Sequence, residues 1–201
     1  MENNLYAKLI VLDTGPLITL SAADSLDYLL YPNIPVYLPD AVLFEATRDS
    51  ATLGAAEILE WVQKNSERVK TLSTQVFFNY IESISTNPAR REKDLGERAA
   101  IEAIHDSVHL EPQERAILVT EDDRALRRVL VIEAELNNRM IPITTRDFLE
   151  GMENAGRINS VDDVYARAQN AGRLASQRSI LKFQNEQAMK AVERVLKRPI
   201  E

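Results

Sequence analysis

The chain has 201 residues, of which 45% are hydrophobic and 27% charged, so it can fold as one domain of ordinary size with an appendage. It contains no cysteine, which excludes a disulfide, a thiol nucleophile and a zinc–thiolate site. The net charge of −7 argues against simple electrostatic capture of nucleic acid, but it suits a pocket that holds divalent cations. The N-terminus lacks a secretory signal and no apolar run is long enough to span a membrane, so we expect a soluble, cytoplasmic protein.

The first half of the chain contains three short runs that are typical of strands. Residues 8–12 (KLIVL) are apolar, largely β-branched and followed closely by Gly-Pro, which indicates a strand buried on both faces. Residues 35–38 indicate a second strand, and 69–72 a minor one. The predicted helices of this half cover residues 40–48, 52–64 and 75–84.

The second half continues the alternation of strands and helices. Residues 94–106 indicate a helix with an acidic first turn, and 116–119 (AILV) and 141–143 indicate strands. A further helix is predicted to begin at Asp122-Asp123. This order predicts an α/β fold with a mainly parallel central sheet.

The C-terminal part is predicted to contain two helices. A capping box at 160–163 predicts a helix to about residue 169, which Gly172 should stop. Residues 174–196 are predicted to form an amphipathic helix with an apolar stripe formed by Leu174, Leu181, Ala188, Val192 and Val195. We therefore expect one domain at 1–158 and a helical extension at 159–201, which docks on the body or a dimer mate, or contacts nucleic acid through its basic face.

Acidic residues follow two of the predicted buried strands. Asp13 comes directly after the first strand, and Asp122 and Asp123 follow the strand at 116–119. Ligand crevices of open α/β sheets form at the carboxyl ends of the strands. These acids are therefore predicted to face one crevice.

Helices supply further carboxylates for the same crevice. Glu45 lies in the helix that begins near residue 40, and Asp94 and Glu97 are three residues apart at a helix start, so they project on one face. Such a cluster is costly unless a cation neutralises it, and an all-oxygen ligand set selects Mg²⁺ or Mn²⁺. From spacing alone, a structural role is as compatible with each of these acids as metal binding: turn former, solvated helix residue, partner of the helix dipole or N-cap.

Four segments, taken in order, resemble the motifs of a PIN domain, the nuclease fold of the VapC-type toxins of toxin–antitoxin pairs. LIVLDTGPLITL resembles the opening strand and first acid, and VYLPDAVLFEATRD the second motif, with its Glu at Glu45. DLGERAAIEAI is similar to the third motif of the subgroup with Gly-Glu, which matches Glu97, and ILVTEDDRALRRV is similar to the fourth, which matches Asp122. IPITTRDFLEGMENAGRI is similar to the closing strand and helix of the subgroup.

The resemblance implies an α/β/α sandwich that hydrolyses RNA with Mg²⁺ or Mn²⁺ and leaves a 5′-phosphate and a 3′-hydroxyl. The catalytic residues that it implies are Asp13, Glu45, Glu97 and Asp122. Asp94 and Asp123 would join these four as metal ligands, and the Thr14 hydroxyl would support the site. It further implies the toxin of a toxin–antitoxin pair, with a small antitoxin protein as partner, and we expect a homodimer.

Other readings of the same residues lead to different functions. A PIN-like fold whose site has degenerated would be a metal- or partner-binding module without catalysis. Asp13-Thr14-Gly15 is also the signature of a retropepsin-like aspartic protease, but that fold is all-β and rich in glycine, whereas this chain has six glycines and long helical stretches. A receiver domain would need an acidic pair directly after its first strand, which is absent here.

Overall fold

A computed structural model describes residues 5–90, 92–122, 126, 139–183 and 186–197. The strands in these ranges are β1 (Tyr6–Leu12), β2 (Val36–Pro39), β3 (Val69–Leu72), β4 (Glu114–Val119) and β5 (Met140–Ile143). The helices are α1 (Thr14–Ala22), α2 (Asp40–Thr47), α3 (Ala55–Lys64), α4 (Gln75–Thr86), α5 (Leu95–Glu102), α6 (Thr145–Asn154), α7 (Val161–Asn170) and α8 (Glu186–Leu196). Short 3₁₀ turns cover Leu26–Leu30 and Leu181–Phe183, and a π turn, Ala103–Ser107, continues α5.

The strands form one five-stranded sheet in the order β3-β2-β1-β4-β5, and every pairing is parallel. This confirms the predicted α/β class and the five predicted strand positions, with bounds that differ by at most two residues at either end. β5 lies at an edge of the sheet, where Pro142 is tolerated because no further strand needs its missing N–H. An all-β aspartic protease is incompatible with this sheet.

Alternate residues of the central strands pack on opposite faces of the sheet. Ile10 and Ile117 belong to the larger core, which also contains apolar residues of α1, α2, α3, α6, α7 and α8. Leu9 and Leu118 belong to a smaller core on the other face, with Ala100 of α5. The sheet is therefore covered by helices on both faces, as the continuous apolar runs of β1 and β4 require. This layering is compatible with an α/β/α sandwich.

The loop after α7 has a conformation that requires glycine. Gly172 has a φ of +94° and its N–H donates to the Gln169 carbonyl, while the Arg173 N–H donates to the Ala168 carbonyl at 2.9 Å. This is the Schellman pattern of helix termination. The prediction that Gly172 stops this helix is confirmed.

The prediction of one helix over residues 174–196 is wrong in its first part. Residues 173–180 are not helical, and α8 begins only at Glu186. The backbone N–H groups of Ile180 and Leu181 donate to the Asp147 carboxylate instead of to helical carbonyls. Leu174, placed on the apolar stripe, is 83% exposed, whereas Val192 and Val195 are buried as predicted.

Of two other predicted helices, one begins later than predicted and one lies largely outside the described residues. The helix predicted at 52–64 begins at Ala55, because the preceding residues form turns that end at Gly54, whose φ is +82°. The helix predicted from Asp122-Asp123 lies largely outside the described residues. Across the part of the chain that the structure covers, we find no helix with the length and hydropathy needed to cross a membrane.

Candidate active site

The carboxyl ends of β1 and β4 meet at the centre of the sheet and bring Asp13 beside Thr120. The Asp13 N–H donates to the Val119 carbonyl at 3.0 Å, which extends the strand pairing by one residue. Asp13 is also the N-cap of α1, and its Oδ1 accepts from the Thr14 N–H at 2.7 Å. Its Oδ2 accepts from the Thr120 hydroxyl at 2.7 Å. Both oxygens are thus fixed at the mouth of the crevice.

Glu45 reaches the same crevice from α2. The Thr14 hydroxyl donates to Glu45 Oε2 at 2.9 Å, so the residue next to Asp13 holds the second carboxylate. Gly96 of α5 lies against this pair, and a Cβ atom at Gly96 would stand 2.7 Å from Glu45 Oε2 and 3.0 Å from Thr14 Oγ1. A side chain at position 96 would therefore displace the Glu45 carboxylate from its hydrogen bond with Thr14.

The remaining predicted acids come from the start of α5 and from the end of β4. Glu97 is only 7% exposed, whereas Asp94, at the N-cap of α5, is exposed and has a φ of +57°. Asp122 is exposed, and its N–H donates to Thr120 Oγ1 at 3.2 Å. Thr120 therefore bridges Asp13 and the backbone of Asp122.

One cavity of about 640 Å³ joins these side chains. Its wall includes all of the sequence-predicted site residues that the structure describes, namely Asp13, Thr14, Glu45, Asp94, Glu97 and Asp122. Asp123, the remaining predicted ligand, lies outside the described residues. The structure thus brings the predicted residues to one place, while their roles as ligands or catalysts stay predictions.

The sequence reasoning missed other residues of the cavity wall. They are Gly15, Gly96, Glu121, Arg173, Leu174 and Ser176. Glu121 directly precedes Asp122 and could have been suspected from that position. No local pattern indicates Arg173, because the residue that it pairs with, Glu121, is 52 positions away in the chain.

Burial perturbs two of the carboxylates. Burial raises the pKa of Asp13 above its usual value; the hydrogen bonds from Thr120 and from the Thr14 N–H lower it, and the nearby charges of Asp122 and Glu121 raise it further. Burial also raises the pKa of Glu45, and the hydrogen bond from Thr14 opposes this effect. In both cases the charged form is disfavoured, and a bound cation would reverse that penalty.

The donor set consists of oxygen atoms, which suits Mg²⁺ or Mn²⁺ and not a soft metal. Within the described ranges, no three carboxylate or histidine side chains stand close enough together to hold an ion as they are placed. The carboxylates share a cavity without forming a closed ligand set. The chemistry of these residues therefore fits a hard divalent cation, although their present spacing is wider than coordination requires.

Comparisons of the chain with protein-family models, with curated proteins and with solved structures find no match.

Proposed function

We propose that this chain is a divalent-metal-dependent ribonuclease of the PIN-domain kind, which hydrolyses phosphodiester bonds of RNA. The observation that carries the proposal is the common cavity of Asp13, Glu45, Glu97 and Asp122 at the carboxyl edge of a parallel sheet. These four acids come from β1, α2, α5 and the end of β4, in the order of the four motifs that resemble the family. A cavity with so many carboxylates is costly for the fold unless it serves a cation.

Asp13, Glu45, Glu97 and Asp122 would hold Mg²⁺ or Mn²⁺, and Asp94 and Asp123 would assist them. When bound, such an ion lowers the pKa of a water molecule and stabilises charge on the phosphate oxygens. Thr120 and the Thr14 N–H keep the Asp13 carboxylate oriented, and the Thr14 hydroxyl does the same for Glu45. These contacts reduce the rearrangement that the protein needs before it can act on a phosphodiester.

The direct test is the cleavage of a mixed RNA pool by the full chain with Mg²⁺, with Mn²⁺ or with EDTA. We expect cleavage with either metal, none with EDTA, and a loss of at least about a hundredfold in Asp13→Ala, because that variant lacks a ligand of the ion. Gln187→Ala, at an exposed position of α8, is the matched control and should cleave like the wild type. Equal cleavage by the wild type and Asp13→Ala would refute the proposal.

The rival function, a metal- or partner-binding module without catalysis, has a different signature. Calorimetric titration with Mn²⁺ would then give binding that Asp13→Ala abolishes, while no RNA in the pool is cleaved. The wide spacing of the carboxylates among the described residues favours the partner-binding form of this rival, because no three of them stand close enough to hold an ion.

The biological setting that we propose follows from the family resemblance. A toxin would arrest growth when expressed without its antitoxin, and Asp13→Ala would relieve the arrest. The small antitoxin partner, the homodimer and the cytoplasmic location remain predictions, to be tested by co-purification, by light scattering and by cell fractionation.

A further inference from the structure

The segment 172–183, which we call the C-terminal strap, passes along one side of the acidic cavity. Leu174 and Ser176 of the strap belong to the cavity wall. The Tyr165 hydroxyl donates to the Ser176 carbonyl at 3.1 Å, and the Thr144 hydroxyl donates to the Arg178 carbonyl at 2.6 Å. The strap is therefore hydrogen-bonded to the body at two positions, one of them at the cavity wall.

Arg173 of the strap makes three hydrogen bonds to the body beside the crevice. Its Nε donates to Thr19 Oγ1 at 3.1 Å, and its Nη2 donates to the Gly15 carbonyl at 3.4 Å and to Glu121 Oε2 at 3.0 Å. The Schellman turn at Gly172 fixes its backbone. Because both backbone and guanidinium are held in place, little conformational entropy remains to be lost when Arg173 binds a ligand.

Glu121 is the acid that holds Arg173 in the cavity wall. Its side chain is 7% exposed, its Oε2 accepts from Arg173, and its Oε1 accepts from the Thr145 hydroxyl at 2.8 Å. The buried carboxylate therefore holds the guanidinium in place through Nη2.

One amino group of Arg173 is left for a ligand. Among the described residues, Nη1 has no hydrogen-bond acceptor, and the side chain keeps 27% of its exposure at the cavity wall. Arg173 is also the one basic side chain among the described residues that line the cavity. A guanidinium with free N–H groups beside a phosphodiester-cutting site is suited to bind a phosphate oxygen.

We infer that Arg173 binds a backbone phosphate of the RNA substrate and positions the strand against the acidic cavity. The inference rests on the proposed ribonuclease function and assigns part of substrate binding to the C-terminal strap. The phosphate would lie on the Nη1 side of the guanidinium, opposite Glu121 and Thr19.

The test compares Arg173→Gln and Arg173→Lys in cleavage and in binding. Both variants lose the fork geometry, but only Arg173→Gln loses the charge. We expect the KM of Arg173→Gln to be about tenfold higher than that of the wild type, because a charge-assisted hydrogen bond to the substrate is lost. We expect kcat to change little, because the contact stabilises the bound substrate and the transition state equally. Arg173→Lys should fall between Arg173→Gln and the wild type.

Binding is measured by fluorescence anisotropy of a short labelled single-stranded RNA with Mg²⁺, in a Glu97→Gln background that we expect not to cleave. In a plot of the logarithm of the affinity against the logarithm of the salt concentration, the slope is negative. Its magnitude should decrease by about 0.7 in Arg173→Gln and stay unchanged in Arg173→Lys. Arg167→Gln is the matched control, because Arg167 lies in α7, pairs with Asp163 and does not line the cavity. Thermal unfolding of each variant shows whether the strap stays docked.

The outcomes separate this inference from the proposed function. If the wild type cleaves RNA but Arg173→Gln keeps its KM and salt slope, Arg173 is only a structural contact of the strap and the inference falls. Equal slope changes in Arg167→Gln, or in Arg173→Lys, would overturn it too. If no cleavage occurs but the slope changes in Arg173→Gln alone, the phosphate contact stands and the ribonuclease proposal falls. If the wild type neither cleaves nor binds RNA, both fall.

Discussion

Gly96 determines how closely α5 can approach the carboxylate of Glu45. In Gly96→Ala the new Cβ would stand 2.7 Å from Glu45 Oε2, so the Thr14–Glu45 hydrogen bond must shift. Alanine favours a helix over glycine by about 0.5–1 kcal/mol, which offsets part of the clash. We therefore expect the free energy of unfolding to change little, while the cleavage rate falls roughly tenfold to a hundredfold because a carboxylate is displaced.

Single-turnover cleavage and urea unfolding together test this prediction. Gly156→Ala is the matched control, because Gly156 has a φ of +69° and no atom near its would-be Cβ. That variant should lose about 1 kcal/mol of stability through backbone strain and keep its cleavage rate. If Gly96→Ala cleaved as fast as the wild type, the observed position of the Glu45 carboxylate would not be required for cleavage.

The raised pKa of Asp13 gives the stability of the metal-free protein a defined pH dependence. In the folded protein the pKa of Asp13 lies above its ordinary value of 3.8. The stability that the protonated Asp13 side chain contributes is therefore fully present below pH 3.8 and is lost as the pH rises through the pKa of the folded state. In EDTA at neutral pH, Asp13→Asn should therefore be more stable than the wild type by about 1 kcal/mol. The difference should vanish toward acid pH.

Urea unfolding at a series of pH values, with EDTA throughout, measures this difference. Asn can still accept the N-cap hydrogen bond from Thr14, and its amide can donate to the Thr120 hydroxyl oxygen in place of the bond that Asp13 accepts, so the variant mainly tests the charge. Thr52→Asn, at a half-buried position that does not line the cavity, should show no such pH dependence, because the substitution changes no charge. A wild type that gained stability over Asp13→Asn as the pH rises would contradict the sign.

At the scale of residues, the sequence predicted well those side chains whose position follows from a strand end or a helix face. Asp13 and Asp122 reach the cavity because β1 and β4 are parallel and adjacent, and Glu97 because it lies one turn into α5. Arg173 could not be predicted in this way. Its place depends on the turn at Gly172 and on contacts to Thr19 and Glu121, which only the complete fold brings together.

At the scale of elements, the strap shows how one buried acid overrides a helical pattern. The periodicity of residues 174–196 predicted a single helix, but the Asp147 carboxylate accepts from the Ser179 hydroxyl and from the N–H groups of Ile180 and Leu181. Asp147 also closes the capping box of α6 with Thr144. A local pattern cannot reveal such an acceptor, because Asp147 lies more than thirty positions earlier in the chain.

We expect Asp147→Ala to destabilise the protein strongly. Asp147 is 2% exposed, and its removal leaves several buried donors without an acceptor, at a cost of about 3 kcal/mol or more. Glu150→Ala is the control on the same helix, because its ion pair with Arg146 is partly exposed and should contribute less than about 1 kcal/mol. Urea unfolding measures both, and hydrogen exchange at Ile180 and Leu181 should accelerate in Asp147→Ala alone. Similar losses in the two variants would mean that Asp147 does not hold the strap.

At the scale of the whole molecule, α7 and α8 belong to the same core as the sheet. Buried apolar side chains of α7, such as Val164, and of α8, such as Val192, pack in the cluster that contains Ile10 and Ile117. Gly151 of α6 lies so close to α8 that a Cβ there would stand 2.1 Å from Leu196 Cδ1. The predicted extension at 159–201 thus packs as part of the body in the residues that the structure describes.

A chain shortened to residues 1–158 should consequently fail to fold cooperatively. It would expose the apolar surface of α1, α6 and β1 that α7 and α8 cover, and each large side chain left in water costs about 1.5–3 kcal/mol of burial energy. Circular dichroism and urea unfolding of the shortened chain would show a broad transition or none. A sharp transition near that of the full chain would establish 1–158 as an independent domain.

A pair of substitutions within α8 tests the same point without removing any chain. Val192 is fully buried, and Val192→Asp places a charge in the core at a cost of about 3 kcal/mol or more. Gln187 is exposed on the same helix, so Gln187→Asp should change the free energy of unfolding by no more than about 0.5 kcal/mol. If α8 is part of the core, Val192→Asp must lower the unfolding midpoint of the entire molecule, including the tryptophan signal of Trp61 in α3. If only α8 detached, that signal would keep its midpoint, because Trp61 lies in the shared core through α3 and not through contacts with α8.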